Sequence, residues 1–593
     1  MLSVINNIFN SINDFVWGPV MLVLLLGVGL FLMMRLGFMP LRKIGMAFVL
    51  LWRGRVSKHG DSGELSPFKA LMTALAATIG TGNIAGVATA IYLGGPGAVF
   101  WMWCTALVGM ATKFTEVTLS VTYREVTPDG SYVGGPMYYI RNGLGEKWKW
   151  MALAFAFFGC IAGFGIGNTV QVNSIADVMQ SSFGVAHIWT AIILFIIVGL
   201  VLVGGVKRIG TVAGKVVPSM ALFYIVASVF CMIIKIDQVP GAFFSIFSEA
   251  FNPTSVGGGL AGGSILLAMR FGIARGVFSN EAGMGSSPIA HATAITNNPV
   301  RQGIIGMLGT FLDTIVVCSM TAIVILISGL WAPAPTVDAA RLDAYVQSHK
   351  AEMINSAGQF EVERAVQALM AGQKEFLSAN AELRRDNLVK FINDNSAAFV
   401  ENNALAAPAL AGALNLGWFE HNKNNTKAQS PLVAKEGAAL TSAAFALCLP
   451  GNSGHIVVAI ALTLFAFTTI LGWCVYSERC AVYLFGHKAL KPFRLIYTLV
   501  VPVGALIQLK TVWNMADAFN ALMIIPNIVA LVLLSPIAIK KARDYFKIGE
   551  HATEIAEVVT IADSVQDMEA VEFKEISDDE EEPDPTIKED KQD

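Results

Sequence analysis

The sequence predicts an all-α polytopic membrane protein with about eleven transmembrane helices. Of its 593 residues, 54% are hydrophobic and only 14% are charged, and the mean hydropathy is +0.58. This composition lies well outside the range of soluble globular domains. Apolar runs long enough to cross a hydrocarbon core of roughly 30 Å recur along the chain. Basic residues collect in alternate short loops, as expected for a chain that crosses a membrane repeatedly.

The candidate spans fall at residues 18–38, 66–93, 97–122, 150–180, 187–205, 213–235, 260–296, 302–331, 455–485, 492–509 and 515–538. Lys and Arg are concentrated in segments 35–58, 123–149, 206–215 and 478–494, and in the residues that follow the last span. Because such segments stay in the cytoplasm, the pattern predicts an N-terminus outside the cell and a cytoplasmic C-terminus.

The first broken span is predicted within Leu65–Gly94, whose middle, Thr78 to Asn83, reads TIGTGN. Each glycine costs roughly 1 kcal/mol of helix propensity, and threonine and asparagine bond readily to nearby backbone. Irregular backbone at this depth is tolerated where it is buried in protein or lines a polar cavity. The alternative is that Gly82 and Gly86 form a small-residue seam that packs two helices together.

A second broken span is predicted within Gly262–Ala294. Its polar and glycine residues are Arg270, Arg275, Gly276, Ser279, Asn280, Glu281, Gly283 and Gly285. A continuous lipid-facing helix would not carry so many polar groups, although a misread cytoplasmic loop would. The two breaks lie at the second and seventh spans, five helices apart. Interrupted segments at corresponding places in two halves indicate a five-plus-five inverted-repeat transporter.

This repeat divides the chain into five predicted parts. They are residues 1–60, an N-terminal transmembrane helix and basic cytoplasmic loop; 61–255, the first repeat; 256–331 with 441–545, the second repeat; 332–440, an external insertion; and 546–593, an acidic cytoplasmic tail. In the insertion, Val362, Leu369, Phe376 and Leu383 recur every seven residues, which predicts an amphipathic helix. An external cap and a partner-binding domain are both open for this insertion. The tail is predicted to be disordered, because it has too little apolar surface to fold.

Polar residues also occur within apolar runs elsewhere. In the fourth span, Phe164, Gly167, Asn168 and Gln171 follow one helical face. In the ninth span, Thr469 and Trp473 share one side, and the hydroxyls of Thr468 and Thr469 suit a hard cation such as sodium. Threonines in membrane helices also bond back to their own helix, so both interpretations of this pair stay open.

Two acids lie inside predicted spans. Glu116 is in the third span and Asp313 is in the eighth. Acids at this depth are functional by default, but they can equally be structural partners of Arg270 or Arg275.

Other classes of protein are less consistent with the sequence. A channel filter uses repeated loops around an axis, whereas the two breaks differ in sequence. No His-Glu-x-x-His or Gly-x-Ser-x-Gly motif indicates an enzyme, and the net charge of −3 gives no reason to expect nucleic-acid binding.

Four motifs resemble those of the alanine-or-glycine:cation symporter family of bacterial amino-acid transporters. They are TIGTGNIAGVATAIYLGGPGAVFWMW, GGPMYYI, RGVFSNEAGMGSSPIAHATA and FAFTTILGW, within residues 15–330 and 437–545. The resemblance implies a LeuT-type fold with one extra N-terminal helix in a bacterial inner membrane. It implies entry of alanine or glycine coupled to sodium, with no other cofactor. The external insertion and the acidic tail depart from the family pattern.

The resemblance also implies roles for individual residues. The substrate carboxylate would bind at Gly80, Thr81, Gly82 and Asn83, and the opposite wall of the site would be formed by Phe278, Ser279 and Asn280. The polar groups of the substrate would bond to Gln171 and Asn168, and its size would be limited by Phe164 and Trp473. Sodium would be held by Ala77, Gly80, Thr468 and Thr469, of which Thr469 would also border the substrate. The closest alternative is a proton-coupled carrier that uses Glu281, Asp313 or Glu116.

Overall fold

The computed structural model describes Phe9, 11–13, 18–56, 60–251, 261–331, 337–357, 359–378, 381–395, 400–401, 404–407, 409–414, 432–434, 437–451, 453–506 and 509–553. The chain divides into a large compact unit, Met1–Ile539, and a second unit, Lys540–Asp593. Helices dominate both the membrane part and the insertion. The tail predicted to be disordered was taken to begin at residue 546, but residues 546–553 continue the last helix, so that boundary was wrong. The part of the tail beyond residue 553 lies outside the described residues.

The first half of the chain contains thirteen α-helices in its described residues: α1 Pro19–Arg35, α2 Met39–Arg42, α3 Ile44–Arg53, α4 Pro67–Thr78, α5 Val87–Gly94, α6 Gly97–Thr122, α7 Pro136–Tyr139, α8 Lys149–Phe164, α9 Val170–Phe183, α10 His187–Val203, α11 Gly205–Ile234, α12 Val239–Phe251 and α13 Ala261–Asn280. Short π-helical segments at Gly82–Gly86, Ile140–Leu144 and Gly165–Thr169 and a 3₁₀ turn at Glu146–Trp148 connect some of them. Strands β1 Glu125–Val126 and β2 Tyr132–Val133 form an antiparallel pair.

In the described residues of the second half, the helices are α14 Ser287–His291, α15 Pro299–Thr310, α16 Ser319–Ser328, α17 Ala339–Ser348, α18 Val362–Phe376, α19 Arg385–Asp394, α20 Gly437–Cys448, α21 Ser453–Phe485, α22 Leu490–Leu506 and α23 Leu509–Thr553. A π-helical segment, Phe311–Cys318, joins α15 to α16, and 3₁₀ turns occupy Lys350–Met353 and His487–Ala489. In two antiparallel pairs, β3 Ala381–Leu383 pairs with β6 Leu432–Ala434, and β4 Val400–Glu401 pairs with β5 Ala404–Leu405.

Every predicted span contains helix, and the chain has the features of a multi-pass membrane protein. Within the described residues, seven helices are long and apolar enough to cross a bilayer, and the bent pair Pro67–Thr78 and Gly82–Gly94 makes an eighth. The three other predicted spans correspond to α1, α10 and α13. The total of eleven spans and the inverted repeat stay predictions.

Local sequence explains where several helices begin. Ser66 precedes Pro67, and its hydroxyl accepts a hydrogen bond from the Lys69 amide at 3.3 Å. Asn298 precedes Pro299 and accepts from two amides of the first turn of α15, each at 3.1 Å. A polar cap followed by proline is favourable at a helix start, because proline lacks the amide that would otherwise need a partner.

The first predicted break is confirmed. The two half-helices meet at an angle of 52°, and Ile79 between them has an extended backbone conformation. The alternative seam is present beside the break, since a Cβ at Gly82 would lie 3.2 Å from Phe278 Cδ1 and one at Gly86 would lie 4.0 Å from Arg275 Cδ. Both glycines therefore face α13, next to the irregular segment.

The second predicted break lies near the end of its polar stretch. Helix α13 continues through Asn280, so the interruption falls at Glu281 to Gly285, within the predicted range Gly262–Ala294. The glycines of this helix allow it to pack closely against its neighbours. A Cβ at Gly272, for example, would lie only 2.7 Å from the Trp101 side chain on α6. The chain leaves the helix at Glu281, whose φ of 57° is followed by positive φ at Gly283 and Gly285. This segment is buried, unlike a solvated loop.

The insertion has a hydrophobic core of its own, formed by buried residues between Val337 and Leu414. The predicted amphipathic helix is confirmed as α18, which buries Leu369 and Phe376 and packs Val362 against the same core. Leu383, the fourth residue of the seven-residue repeat, lies instead in strand β3.

Candidate functional site

A small buried cavity lies beside the first break. Its lining residues come from several helices: Ala77, Thr78, Gly80, Thr81, Gly82, Ile166, Gln171, Phe278, Glu281, Thr469, Trp473 and Asn520. Its volume is about 20 Å³, which is room for one or two water molecules at most. Entry of an amino acid would therefore require the surrounding side chains or half-helices to move.

The backbone of the first break is held by side chains. The Gly80 amide donates to Asn83 Oδ1 at 2.9 Å, and the Thr81 amide makes a long 3.5 Å bond to Gln171 Oε1. Asn83 Nδ2 in turn donates to Asp313 Oδ1 at 2.7 Å. Of the four residues predicted at this break, Gly80, Thr81 and Gly82 line the cavity. Asn83 lies outside the lining and holds the break through its bonds to the Gly80 amide and to Asp313.

Asp313 is the acceptor at the centre of a buried network. Its Oδ2 accepts from the Ser279 hydroxyl at 2.7 Å and from the Thr314 hydroxyl at 2.8 Å. Asn280 Nδ2 donates to the Thr314 hydroxyl at 3.2 Å. Of the three residues predicted for the opposite wall, Phe278 lines the cavity, whereas Ser279 and Asn280 belong to this network.

The second break forms another part of the cavity wall through Glu281. Lys113 Nζ donates to the Glu281 carbonyl oxygen at 3.1 Å and lies 3.8 Å from Glu116 Oε2. Glu116 Oε1 accepts from the Gly283 and Gly285 amides, both at 3.1 Å. Lys113, rather than the expected Arg270 or Arg275, is thus the basic residue beside Glu116. The i,i+3 spacing of the two residues on α6 was the signal for this pair.

Only part of the predicted fourth-span face reaches the cavity. Gln171 lines it and donates through Nε2 to the Ile166 carbonyl at 3.0 Å. Asn168 Nδ2 instead donates to the Tyr497 carbonyl at 2.8 Å, and the Phe164 ring lies 5.4 Å from the Tyr497 ring. The π-helical segment Gly165–Thr169 explains the difference, because it changes the angular spacing assumed for a regular α-helix.

Two of the three residues predicted in the ninth span border the cavity. Thr469 Oγ1 bonds to the Phe465 carbonyl at 3.0 Å and to the Ile79 carbonyl at 3.4 Å. Trp473 packs over Gly167, where a Cβ would meet the Trp473 side chain. Thr468 lies off the cavity, and its hydroxyl bonds to Phe465 O at 3.0 Å and contacts Met220 Sδ at 3.5 Å. Ala77 and Gly80, the other predicted sodium residues, do line the cavity.

Sequence reasoning missed Thr78, Ile166 and Asn520 as lining residues. Asn520 lies in the last predicted span, where an isolated amide within an apolar run was the available signal. Within the described part of the chain, Asn520 Oδ1 and Thr81 Oγ1 are buried and have no hydrogen-bond partner. The cavity therefore presents two unsatisfied acceptors in addition to the Glu281 side chain.

The chain matches known transporters over most of its length. The family model described as the sodium:alanine symporter family matches residues 2–369 and 424–558. The chain is 40% identical to the sodium/alanine symporter AgcS of Methanococcus maripaludis, over 93% of this chain and 99% of that protein. It is 40% identical to an uncharacterized transporter of Haemophilus influenzae, over 92% and 96%. It is also 32% identical, over 90% and 91%, to a Bacillus subtilis protein named "Putative sodium/proton-dependent alanine carrier protein YrbD".

Proposed function

Because this chain belongs to the sodium:alanine symporter family, we propose that it carries alanine and glycine into the cell together with sodium. The family is one of transporters, not enzymes, and its membership supports sodium-coupled amino-acid transport in a plasma membrane. The observation that carries the specific proposal is the small polar cavity at the break between α4 and α5. Midplane sites at broken helices are typical of secondary transporters.

The substrate carboxylate is proposed to bind at the first break. The Thr81 amide makes only a 3.5 Å bond to Gln171, so it can turn to a better acceptor when the cavity opens. The half-helix that begins at Gly82 directs the positive end of its dipole towards this place, which favours an anion. The predicted contribution of Asn83 is then indirect, through its bond to the Gly80 amide.

The aromatic walls support a limit on substrate size. Trp473, Phe278 and Ile166 occupy the sides of a cavity with little free volume. A methyl group is much easier to accommodate there than a branched or aromatic side chain. This is why alanine and glycine are the proposed substrates.

Sodium is proposed to bind between the first break and α21. Ala77, Gly80 and Thr469 border the cavity together, and unwound carbonyls beside a helix end coordinate sodium in transporters of this kind. The Ile79 carbonyl, 3.4 Å from Thr469 Oγ1, is a further oxygen ligand. Thr468 would have to turn from its bond with Phe465 to take part.

Transport is proposed to follow alternating access between two repeats, with the N-terminus outside. On the proposed cytoplasmic side, Glu64 Oε1 accepts from the Tyr132 amide at 2.7 Å and from Arg479 at 3.3 Å. On the proposed outer side, the Thr441 hydroxyl of α20 donates to the Ile84 carbonyl at 3.0 Å. Breaking one set of contacts at a time would open the cavity to one side. An inward-moving sodium contributes roughly 2.3 kcal/mol at 100 mV.

Proton coupling is a second candidate, and one observation favours it. Glu281 is one of the lining residues, and its carboxyl group, whose Oε2 accepts from the Ser286 hydroxyl at 2.5 Å, could take up a proton. The name of the B. subtilis relative also includes proton dependence.

Uptake into proteoliposomes separates these proposals. Labelled alanine and glycine are offered under an inward sodium gradient and, in parallel, under an inward proton gradient. Sodium coupling predicts accumulation with the first gradient alone, and accumulation driven only by protons would overturn it. Trp473→Ala should admit valine, whereas Trp189→Ala, at a position that is 61% exposed on α10, should leave selectivity unchanged.

A further inference from the structure

We propose that Asn520, on the last helix, is a specificity-determining contact for the ammonium group of the substrate. This inference rests on the proposed function and extends the site to α23, beyond the elements from which the sequence predicted it. Asn520 acts together with Thr81 and Glu281, which complete the acceptor side of the cavity.

Asn520 is part of the cavity wall, and its side-chain oxygen accepts no hydrogen bond within the described structure. The residue is only 1% exposed, and its Oδ1 has no hydrogen-bond partner among the described residues. Its Nδ2 makes only a weak 3.9 Å contact with Met284 Sδ. A buried amide oxygen without a partner is destabilising relative to one that accepts a hydrogen bond. Buried polar groups in native proteins normally have partners, so an unpaired one that lines a cavity indicates a ligand.

The chemistry of an amino acid fits this arrangement. Its carboxylate needs hydrogen-bond donors, which the amides of the first break provide, whereas its ammonium group needs acceptors. Asn520 Oδ1 and Thr81 Oγ1 are unpaired acceptors on the cavity wall, and Glu281 supplies the opposite charge. An ammonium group donates three hydrogen bonds. Asn520 and Thr81 offer it two unpaired acceptors, and the Glu281 carboxylate, whose Oε2 already accepts from the Ser286 hydroxyl, offers it a third oxygen.

The other amides near the cavity do not offer the ammonium group an unpaired acceptor in the lining. Gln171 lines the cavity, but it donates to the Ile166 carbonyl and accepts from the Thr81 amide. Asn168, predicted as a ligand of the substrate, donates to the Tyr497 carbonyl, and its Oδ1 is also unpaired among the described residues, but Asn168 lies outside the lining. This leaves Asn520 as the amide in the lining whose acceptor has no partner in the described structure.

The position of Asn520 is fixed by a second asparagine two turns along the same helix. Asn527 Nδ2 donates to Glu116 Oε1 at 2.7 Å and to the Gly283 carbonyl at 2.8 Å. The same side of α23 is thereby tied to the second break, from which Glu281 enters the cavity. Seven residues correspond to nearly two helical turns, so both amides face the same elements.

The test compares glycine with sarcosine, which is glycine with a methyl group on its amino nitrogen. Sodium-driven uptake of glycine and its inhibition by sarcosine are measured for the full-length protein, Asn520→Ala, Asn520→Ser and the control Ser535→Ala. Ser535 lies on the same helix and bonds back to Val532 O at 2.8 Å. We expect Asn520→Ala to lower glycine affinity about ten- to hundredfold, since it removes a bond to a charged group. The preference for glycine over sarcosine should fall about tenfold, because the missing amide leaves room for the methyl group.

Each outcome decides the proposal. Equal losses for glycine and sarcosine, or no loss, would overturn the contact while the unsubstituted protein and Ser535→Ala still transport glycine. Failure of both Asn520 variants to fold would also overturn it, because an unsatisfied ligand-binding amide should be dispensable for folding. If the unsubstituted protein shows no sodium-driven uptake, the proposed function fails and the ammonium assignment fails with it.

Discussion

Replacement of Gly472 by alanine should weaken sodium binding without unfolding the protein. Gly472 lies on α21, three residues after Thr469, where this helix crosses the first half-helix. A Cβ at Gly472 would lie 2.6 Å from the Ala77 nitrogen and 2.8 Å from Ala77 Cα. Ordinary contacts begin near 3.4 Å, so the two helices would have to separate by roughly 0.6–0.8 Å.

The magnitude follows from this displacement. Overpacking of a well-packed contact costs about 1–3 kcal/mol, partly offset by the better helix propensity of alanine, about 1 kcal/mol. The separation would also move Thr469 Oγ1 away from the Ile79 carbonyl, now 3.4 Å distant. If about 1.4 kcal/mol of ion binding is lost, the sodium concentration for half-maximal uptake rises about tenfold.

The assay is alanine uptake into proteoliposomes over a series of sodium concentrations. Gly309→Ala is the matched control, because a Cβ at Gly309 would meet its nearest neighbour, Leu71 Cδ1, at an ordinary 3.7 Å. The control should keep the sodium dependence of the unsubstituted protein. Gly472→Ala with an unchanged sodium dependence would refute the placement of the ion between Ala77 and α21.

Three further predictions follow from the buried polar contacts. Thr469→Val should raise the half-saturating sodium concentration about tenfold or more, while Thr468→Val changes it little; equal effects in the uptake assay would contradict the cavity geometry. Asp313→Asn weakens an acceptor of several buried hydrogen bonds. The free energy of unfolding should fall by about 1–3 kcal/mol, and the melting temperature in detergent should fall with it. An unchanged melting curve would show that the network does not stabilise the fold. Arg479→Met removes the buried partner of Glu64. A single cysteine placed in the cavity should then react faster with a membrane-impermeant thiol reagent added from the cytoplasmic face. An unchanged labelling rate would argue that this ion pair does not close the cavity.

The sequence by itself determined the class of protein and the place of the first break. Hydropathy and length specify helices that need a membrane, because apolar surface on this scale cannot be covered in water. The break at Gly80 and Gly82 is also a local property: glycine, threonine and asparagine disfavour helix wherever they meet in one turn. Motif resemblance added the family, which the comparisons established.

The position of the second break depended on tertiary structure. Gly272 and Gly276 have the same intrinsic helix propensity as Gly283 and Gly285. The first two stay helical because they allow α13 to pack closely against α6. The latter two adopt positive φ, and their amides are bound by Glu116. Sequence composition does not distinguish a glycine that permits packing from one that ends a helix.

The membership of the site was likewise decided by packing between distant segments. The π-helical turn before Gln171 separated this residue from Asn168 and Phe164, although a regular helix would have kept all three on one face. Asn520 joined the cavity from the last helix, and its sequence signal, an isolated amide within an apolar run, does not show what that amide faces. Local propensity thus specified where the backbone breaks, whereas the side chains that meet there were specified by contacts that form only when the helices pack together.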